Sequence, residues 1–323
     1  MRRREFTGLL GGAAIACPAA AVAQQSAIGY LDPRSPATAP SFISGWRVGL
    51  REAGYVEGQN LAVEYRWTEG HPDSMKAMAA DLARRQLGVI IAAGNLAAAT
   101  VKAATSTIPI VFIVGVDPVT FGLVDGLNRS TGNATGVTTF SSEMVAKRLE
   151  LLREMVPGTA VAAALTNPNN PNTKSDTGQV EAAARALAMQ IHILSASDDR
   201  DLDVAFATAK DRLVAAMSVH SDQFFDTRRH RIAALAERYG IPAIYNNREF
   251  VAAGGLMSYG ENRSDTYRLA GVYAGRVLKG EKPGDLPVMQ PTNFELAINL
   301  RAAKALGVAV PQSILIRADE VIE

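Results

Sequence analysis

Short apolar runs alternate with helix-period segments along most of this chain, and that alternation limits the fold more than any single motif does. A first strand at Ala27–Leu31 ends on the turn residues Asp32-Pro33, and a helix over about 38–53 stops at Gly54. Leu61–Tyr65 alternates like a half-buried strand. Pro72-Asp73 opens a helix whose Met75, Met78, Ala79, Leu82 and Ala83 share one face. Strands at Val89–Ala93, Pro109–Val114 and Gly136–Phe140 complete a first set. The pattern restarts with a helix over about 142–156. Strands follow at Val161–Leu165, Gln190–Leu194, Leu213–Val219, Ile241–Tyr245 and Leu256–Tyr259, with helices between them, one running over about 224–239. Strands spaced by helices imply parallel sheets with right-handed crossovers, and two sets imply two similar lobes.

Residues 261–323 are too few for a third domain. They hold a helix over about 264–278, a Gly/Pro turn, a strand near Phe294–Ile298 and a short helix ending at Gly307. The division that follows is 24–140 plus about 261–292 for one lobe, and 141–260 plus about 293–323 for the other.

The N-terminus has the pattern of a removed export signal. Arg2, Arg3 and Arg4 precede an uncharged stretch over 6–23 that closes on Ala21-Val22-Ala23. Arg3-Arg4-Glu5-Phe6 fits the twin-arginine form, with a general secretory signal as the plainer alternative. Cleavage after Ala23 removes the single cysteine, Cys17, and a thiol-free chain suits an oxidising periplasm. No other apolar run is long enough to span a bilayer, so a soluble monomer is expected.

Chemistry is mostly excluded. The formal charge is +1 and aromatics make up 6% of the chain, which supplies neither a basic surface nor a stacking platform for nucleic acid. The histidines at 71, 192, 220 and 230 form no metal-binding spacing. There is no nucleophile elbow, no P-loop, and no dinucleotide fingerprint after the first strand, where Leu31-Asp32-Pro33-Arg34 stands. No catalytic set, metal or cofactor is implied.

What stands out is the set of strand exits, because open α/β sheets bind ligands beyond the carboxyl ends of their strands. Those exits carry Asn95, Asp117, Thr139, Asn167, Asn169, Asn170, Asp222, Tyr245 and Tyr259. Asn and Asp there also serve as plain caps and turn formers. Tyrosine is a poor turn former and offers a ring and a hydroxyl to a cleft. Of Phe224 and Phe225, one is expected in the core and one at the cleft. Glu249 reads as a solvated helix face.

Several segments, among them Glu52–Tyr65, Ser106–Val114, Lys147–Glu154, Asn167–Pro171, Arg248–Gly260, Leu278–Pro287 and Arg317–Glu323, resemble the ABC-transporter substrate-binding family typified by tryptophan/tyrosine-type periplasmic binding proteins. The resemblance runs over essentially the whole chain. It implies a type I periplasmic-binding fold, with two Rossmann-like lobes, a multi-strand hinge and a small-molecule ligand closed between them. It also implies a permease and an ATPase as membrane partners. On that reading a carboxylate meets helix N-termini and Asn95, Thr139 or Asn167. An amine meets Asp117 or Asp222, and a ring lies against Tyr245, Tyr259 or Phe224. The rival readings are a periplasmic enzyme on a doubly wound fold and a sensory binding protein.

Overall fold

The computed structural model describes residues 26–323 apart from 70, 142 and 143. The expected export signal lies outside the described residues. Five strands form the first sheet: β1 (Ser26–Asp32), β2 (Leu61–Trp67), β3 (Val89–Ala93), β4 (Ile110–Val114) and β5 (Ala134–Thr138). They are parallel throughout, in the order β2-β1-β3-β4-β5. The second sheet holds β6 (Val161–Thr166), β7 (Gln190–Ser195), β8 (Ala216–Val219), β9 (Ala243–Tyr245), β10 (Met257–Glu261), β11 (Phe294–Asn299) and β12 (Glu320–Ile322). Its order is β12-β11-β10-β9-β8-β6-β7, and only the β10–β11 pair is antiparallel. No helix among the described residues is long and apolar enough to cross a membrane.

Both faces of each sheet are covered, so the central strands read as unbroken apolar runs. In the first sheet Ile91, Val111 and Ile113 pack toward α1 (Pro40–Glu52), while Ile90, Ala92 and Phe112 pack toward α2 (Pro72–Ala83) and α3 (Asn95–Ala104). The second sheet lies between α4 (Met144–Met155) and α5 (Thr173–Ala186) on one face, and α6 (Asp199–Asp211), α7 (Gln223–Thr227), α8 (Arg229–Tyr239) and α9 (Arg248–Ala252) on the other.

The helix that completes the first lobe comes late in the chain. α10 (Arg263–Leu278) lies along α1 and over β3, β4 and β5. The two helices approach through glycines. A Cβ on Gly49 would sit 1.9 Å from the Arg268 carbonyl oxygen, and one on Gly271 would sit 2.2 Å from that of Trp46. The chain therefore passes between lobes after β5, after β10 and before β11, which makes a three-strand hinge. Two short elements, α11 (Leu300–Ala305) and α12 (Gln312–Leu315), close the second lobe with β12.

Several features differ from the sequence reading, among them the strand expected at Gly136–Phe140, which lies at Ala134–Thr138. The expected helix over 224–239 is two helices, broken at Arg228, whose amide reaches back to the carbonyls of Phe224 and Phe225. β10 runs past Tyr259 to Glu261 because β11 pairs with it along its full length. α12 and β12 have no strong periodic signal in so few residues.

Candidate functional site

The strand orders place the site. In the first sheet β1 lies between β2 and β3, and in the second β6 lies between β7 and β8. Each is a topological switch point, where the connections leave in opposite directions and open a crevice. The β1 and β3 exits bring Asp32, Arg34 and Gly94. The β6 and β8 exits bring Asn167, Ser221 and Asp222. These two sets face each other across the lobes.

At the centre is a cavity of about 50 Å³, lined by Arg34, Gly94, Thr139, Gln223, Asp226, Glu261, Arg263 and Tyr267 among others. Its charges come from both lobes. Arg34 is almost fully buried and forks onto Asp32 with bonds of 2.9 and 2.6 Å. It also donates to the Tyr267 hydroxyl, and its guanidinium lies 4.0 Å from the centre of the Phe42 ring. Arg263, at the start of α10, donates across the lobes to Asp226 Oδ2 at 2.6 Å. Asn247 donates to the other Asp226 oxygen at 3.0 Å. Glu261 lies 3.5 Å from Arg263 Nε, and burial pushes its carboxyl above the usual range against the pull of Arg263. Behind them Arg148 is buried, with Nε donating to the Tyr259 carbonyl at 2.7 Å.

Beside this cavity, with Gln223 lining both, is a second compartment of about 160 Å³. Its walls include Pro33, Met75 and Leu96 from the first lobe and Phe224 from the second. The lobes touch here. A Cβ on Gly94 would meet the Gln223 amide at 2.6 Å, and Ser41 donates to Glu249 at 3.3 Å. Glu249, read from sequence as solvated, thus faces the opposite lobe.

The structure spreads the sequence-predicted residues widely. Thr139 lines the central cavity. Asn167, Asn169, Asn170, Asp222 and Phe224 line the side compartment. Phe225 is in the core. Asn95 spends its side-chain oxygen on the Gly115 amide at 2.9 Å, which ties the β3 and β4 exits together. Asp117 closes its own turn, accepting from Val119 N at 3.0 Å and Thr120 Oγ1 at 2.6 Å, and borders a larger groove of about 420 Å³ that is also lined from both lobes and shares Gly115 with the central cavity.

The tyrosine expectations are corrected. Tyr245 is fully buried on the α8 and α9 face of its sheet, stacked on Phe250 at 4.6 Å. Tyr259 packs on Phe294 at 6.3 Å, because it precedes the true strand exit by two residues. Neither ring reaches the cleft.

Asp222 is also reassigned. One oxygen accepts from Asn167 Nδ2 at 3.0 Å and caps α7 through Phe224 N at 2.9 Å, while the other accepts from Asn170 Nδ2 at 2.8 Å. A carboxylate so saturated holds the β6 and β8 exits in register and has little left for a ligand amine. Asn at this position caps a helix well but brings an NH₂ against amide donors. Asp222→Asn should therefore lose about 1–3 kcal/mol of stability, read by urea unfolding. Burial raises the Asp222 carboxyl to about 6, above the ordinary Asp value of about 4. The folded state then binds its proton more tightly than the unfolded chain, so the wild-type contribution falls as pH rises through that interval. The gap to Asp222→Asn should narrow accordingly.

Arg34, Asp226, Glu261 and Arg263 were missed. The first stood in plain view in Asp32-Pro33-Arg34 at a strand exit. The others lie beyond the last residue assigned to an exit or inside a helix, where sequence gives no sign of facing a cleft.

The chain matches the family model described as ABC transporter substrate binding protein over residues 37–322. A tyrosine-binding protein of Clostridioides difficile (strain R20291) is 24% identical over 262 residues, covering 81% of this chain and 75% of that protein. A conserved domain protein from Vibrio cholerae superposes with a TM-score of 0.86 at 24% identity, covering 92% of this chain and 100% of the other. A Streptococcus pneumonia ABC domain in complex with L-Trp gives 0.82 at 24% identity, with 91% and 100% covered. These likenesses carry the fold, that of the type I periplasmic binding proteins.

Proposed function

This chain belongs to the family of ABC transporter substrate binding proteins, and from that premise we propose that it is an exported periplasmic receptor for an amino-acid solute. It holds the solute between its lobes and delivers it to an importer's permease and ATPase. The observation that carries this reading is the ring of buried charges around the central cavity, supplied by both lobes.

The division of labour follows from which groups are already satisfied. Arg34 is matched by Asp32, and Arg263 by Asp226, so Glu261 is the carboxylate with the fewest partners at the cavity. It is the natural acceptor for an ammonium group, in place of Asp222 or Asp117. The first amides of α3 have no side-chain cap at Gly94, and with Thr139 they offer donors to a carboxylate. Each charge-assisted bond contributes about 1.5–3 kcal/mol. The neighbouring compartment, where Met75, Leu96 and Phe224 stand among asparagines and Asp222, takes the rest of the molecule. The ligands named for two relatives, tyrosine and L-Trp, support an amino acid.

Calorimetry with L-phenylalanine, 3-phenylpropionate and phenethylamine tests the reading. The amino acid should bind at least tenfold more tightly than either analogue lacking one charged group. Glu261→Gln should weaken the amino acid at least tenfold and leave 3-phenylpropionate nearly unchanged. An acid without an amine that binds wild type as tightly as the amino acid would sink the zwitterion assignment.

A further inference from the structure

We infer that Arg148 is a positioning residue for the solute's ammonium group: from behind β10, without touching the solute, it holds Glu261 in the charged form that accepts that group. This rests on the head-group assignment above and adds to it a residue outside the cavity wall. Side chains alternate along a strand, so Tyr259 and Glu261 leave β10 on one face. That face is the one α4 covers, since Tyr259 packs against the cluster of Val145, Leu149 and Leu152. Arg148 lies on the same helix, 1% exposed, and its Nε donates to the Tyr259 carbonyl at 2.7 Å. Its Nη2 reaches Gly260, where a Cβ would stand 3.6 Å away, and has no hydrogen-bond partner among the described residues. The guanidinium is thus lodged beside the last residues of β10. In buried surroundings such a charge acts on a carboxylate without contact.

Glu261 needs the help. It is buried, and burial disfavours its charged form. Asp226 of α7 adds to that effect, while Arg263 of α10 and Arg148 of α4 oppose it. Arg263 already holds Asp226 at 2.6 Å, so its pull on Glu261 is divided and a second cation matters. Further out, Glu249 of α9 faces Arg263, and Asp176 of α5 faces Arg148. His220, past β8, lies 3.5 Å from Asp176, and Arg34 lines the same cavity from the first lobe. As pH falls, Glu261 takes up a proton and loses its hold on an ammonium group. Without Arg148 that loss begins at a higher pH.

The experiment is calorimetry of L-phenylalanine and 3-phenylpropionate between about pH 5.5 and 8, on wild type, Arg148→Gln and Arg148→Lys. Gln keeps a donor for the Tyr259 carbonyl but not the charge, and Lys keeps the charge. In Arg148→Gln the fall in L-phenylalanine affinity should begin about one pH unit higher than in wild type, leaving at least a fivefold loss at the acid end. Arg148→Lys should restore the wild-type profile. 3-Phenylpropionate has no ammonium group and should show neither the fall nor its shift. If Arg148→Gln does not fold, Asp176→Asn removes a carboxylate facing Arg148 and should move the fall the other way, to lower pH, which structural damage would not do. Superimposable profiles in wild type and the variant tested, no rescue by Lys, or the same shift for 3-phenylpropionate overturns the role of Arg148 while the head-group reading stands. L-Phenylalanine binding wild type no more tightly than 3-phenylpropionate overturns both readings together.

Discussion

Arg263→Ala should lose about 3–5 kcal/mol of unfolding free energy, the cost of leaving a buried charge without its partner. Arg263 is buried between the lobes. It holds Asp226 at 2.6 Å and lies 3.5 Å from Glu261. Its guanidinium lies 5.6 Å from the centre of the Phe42 ring. Truncation therefore strands two carboxylates at once, in surroundings that cannot rehydrate them without opening the cleft. If stranded charge is the cause, adding Asp226→Asn should restore a good part of the loss. Arg263→Lys keeps the charge but not the fork, and should fall between wild type and Ala. Urea unfolding of the four proteins decides. A loss below about 1 kcal/mol in Arg263→Ala would place the pair among the weak surface bridges.

Gly49→Ala should be nearly as damaging, although it adds one methyl group to a helix and alanine is the better helix former. Helix propensity alone favours the substitution by about 1 kcal/mol. Against that, the new Cβ would lie 1.9 Å from a backbone oxygen of α10, and backbone cannot step aside as a side-chain tip can. The helices must separate and uncover Trp46 and Ala270, both fully buried between them. Overpacking of this kind costs about 1–3 kcal/mol and sometimes more, and here the upper end is expected. A mutant at least as stable as wild type would show that α1 and α10 slide freely. Gly54→Ala, at a positive φ with open space around it, is the control for backbone strain without a clash.

The fold was legible where burial is two-sided. β3 and β4 are apolar at every position and end at turn residues, so their limits came out within a residue. The same two-sided burial hides direction. Tyr245 and Ile244 are both fully buried on opposite faces, and nothing in Ala243-Ile244-Tyr245 says which face carries the cleft. The asparagines were placed at the right exits, but their role depends on partners far along the chain. Asn167 and Asp222 meet only because β6 and β8 are neighbours. Asp226 and Arg263 are separated by two strands and two helices and carry no mutual signature. One signal was readable and went unread. Gly45 and Gly49 on α1, and Gly271 and Gly275 on α10, recur at four-residue spacing, which puts each pair on one helix face and marks a close crossing.

The late return of α10 ties the two halves of the molecule together in time as well as in space. A growing chain that has reached Thr138 already contains every strand of the first sheet. Yet α1 still presents Phe42, Trp46 and Leu50 without the helix that packs over them. That helix emerges only after the second lobe has been made up to Glu261. At about 5–20 residues per second, the wait is on the order of ten seconds. For that interval the earlier lobe is an unfinished body with an apolar groove, while the later lobe is being assembled beside it. The part synthesised first is thus completed nearly last, and a chain cut short before Arg263 loses the integrity of the lobe that lies farthest from the cut.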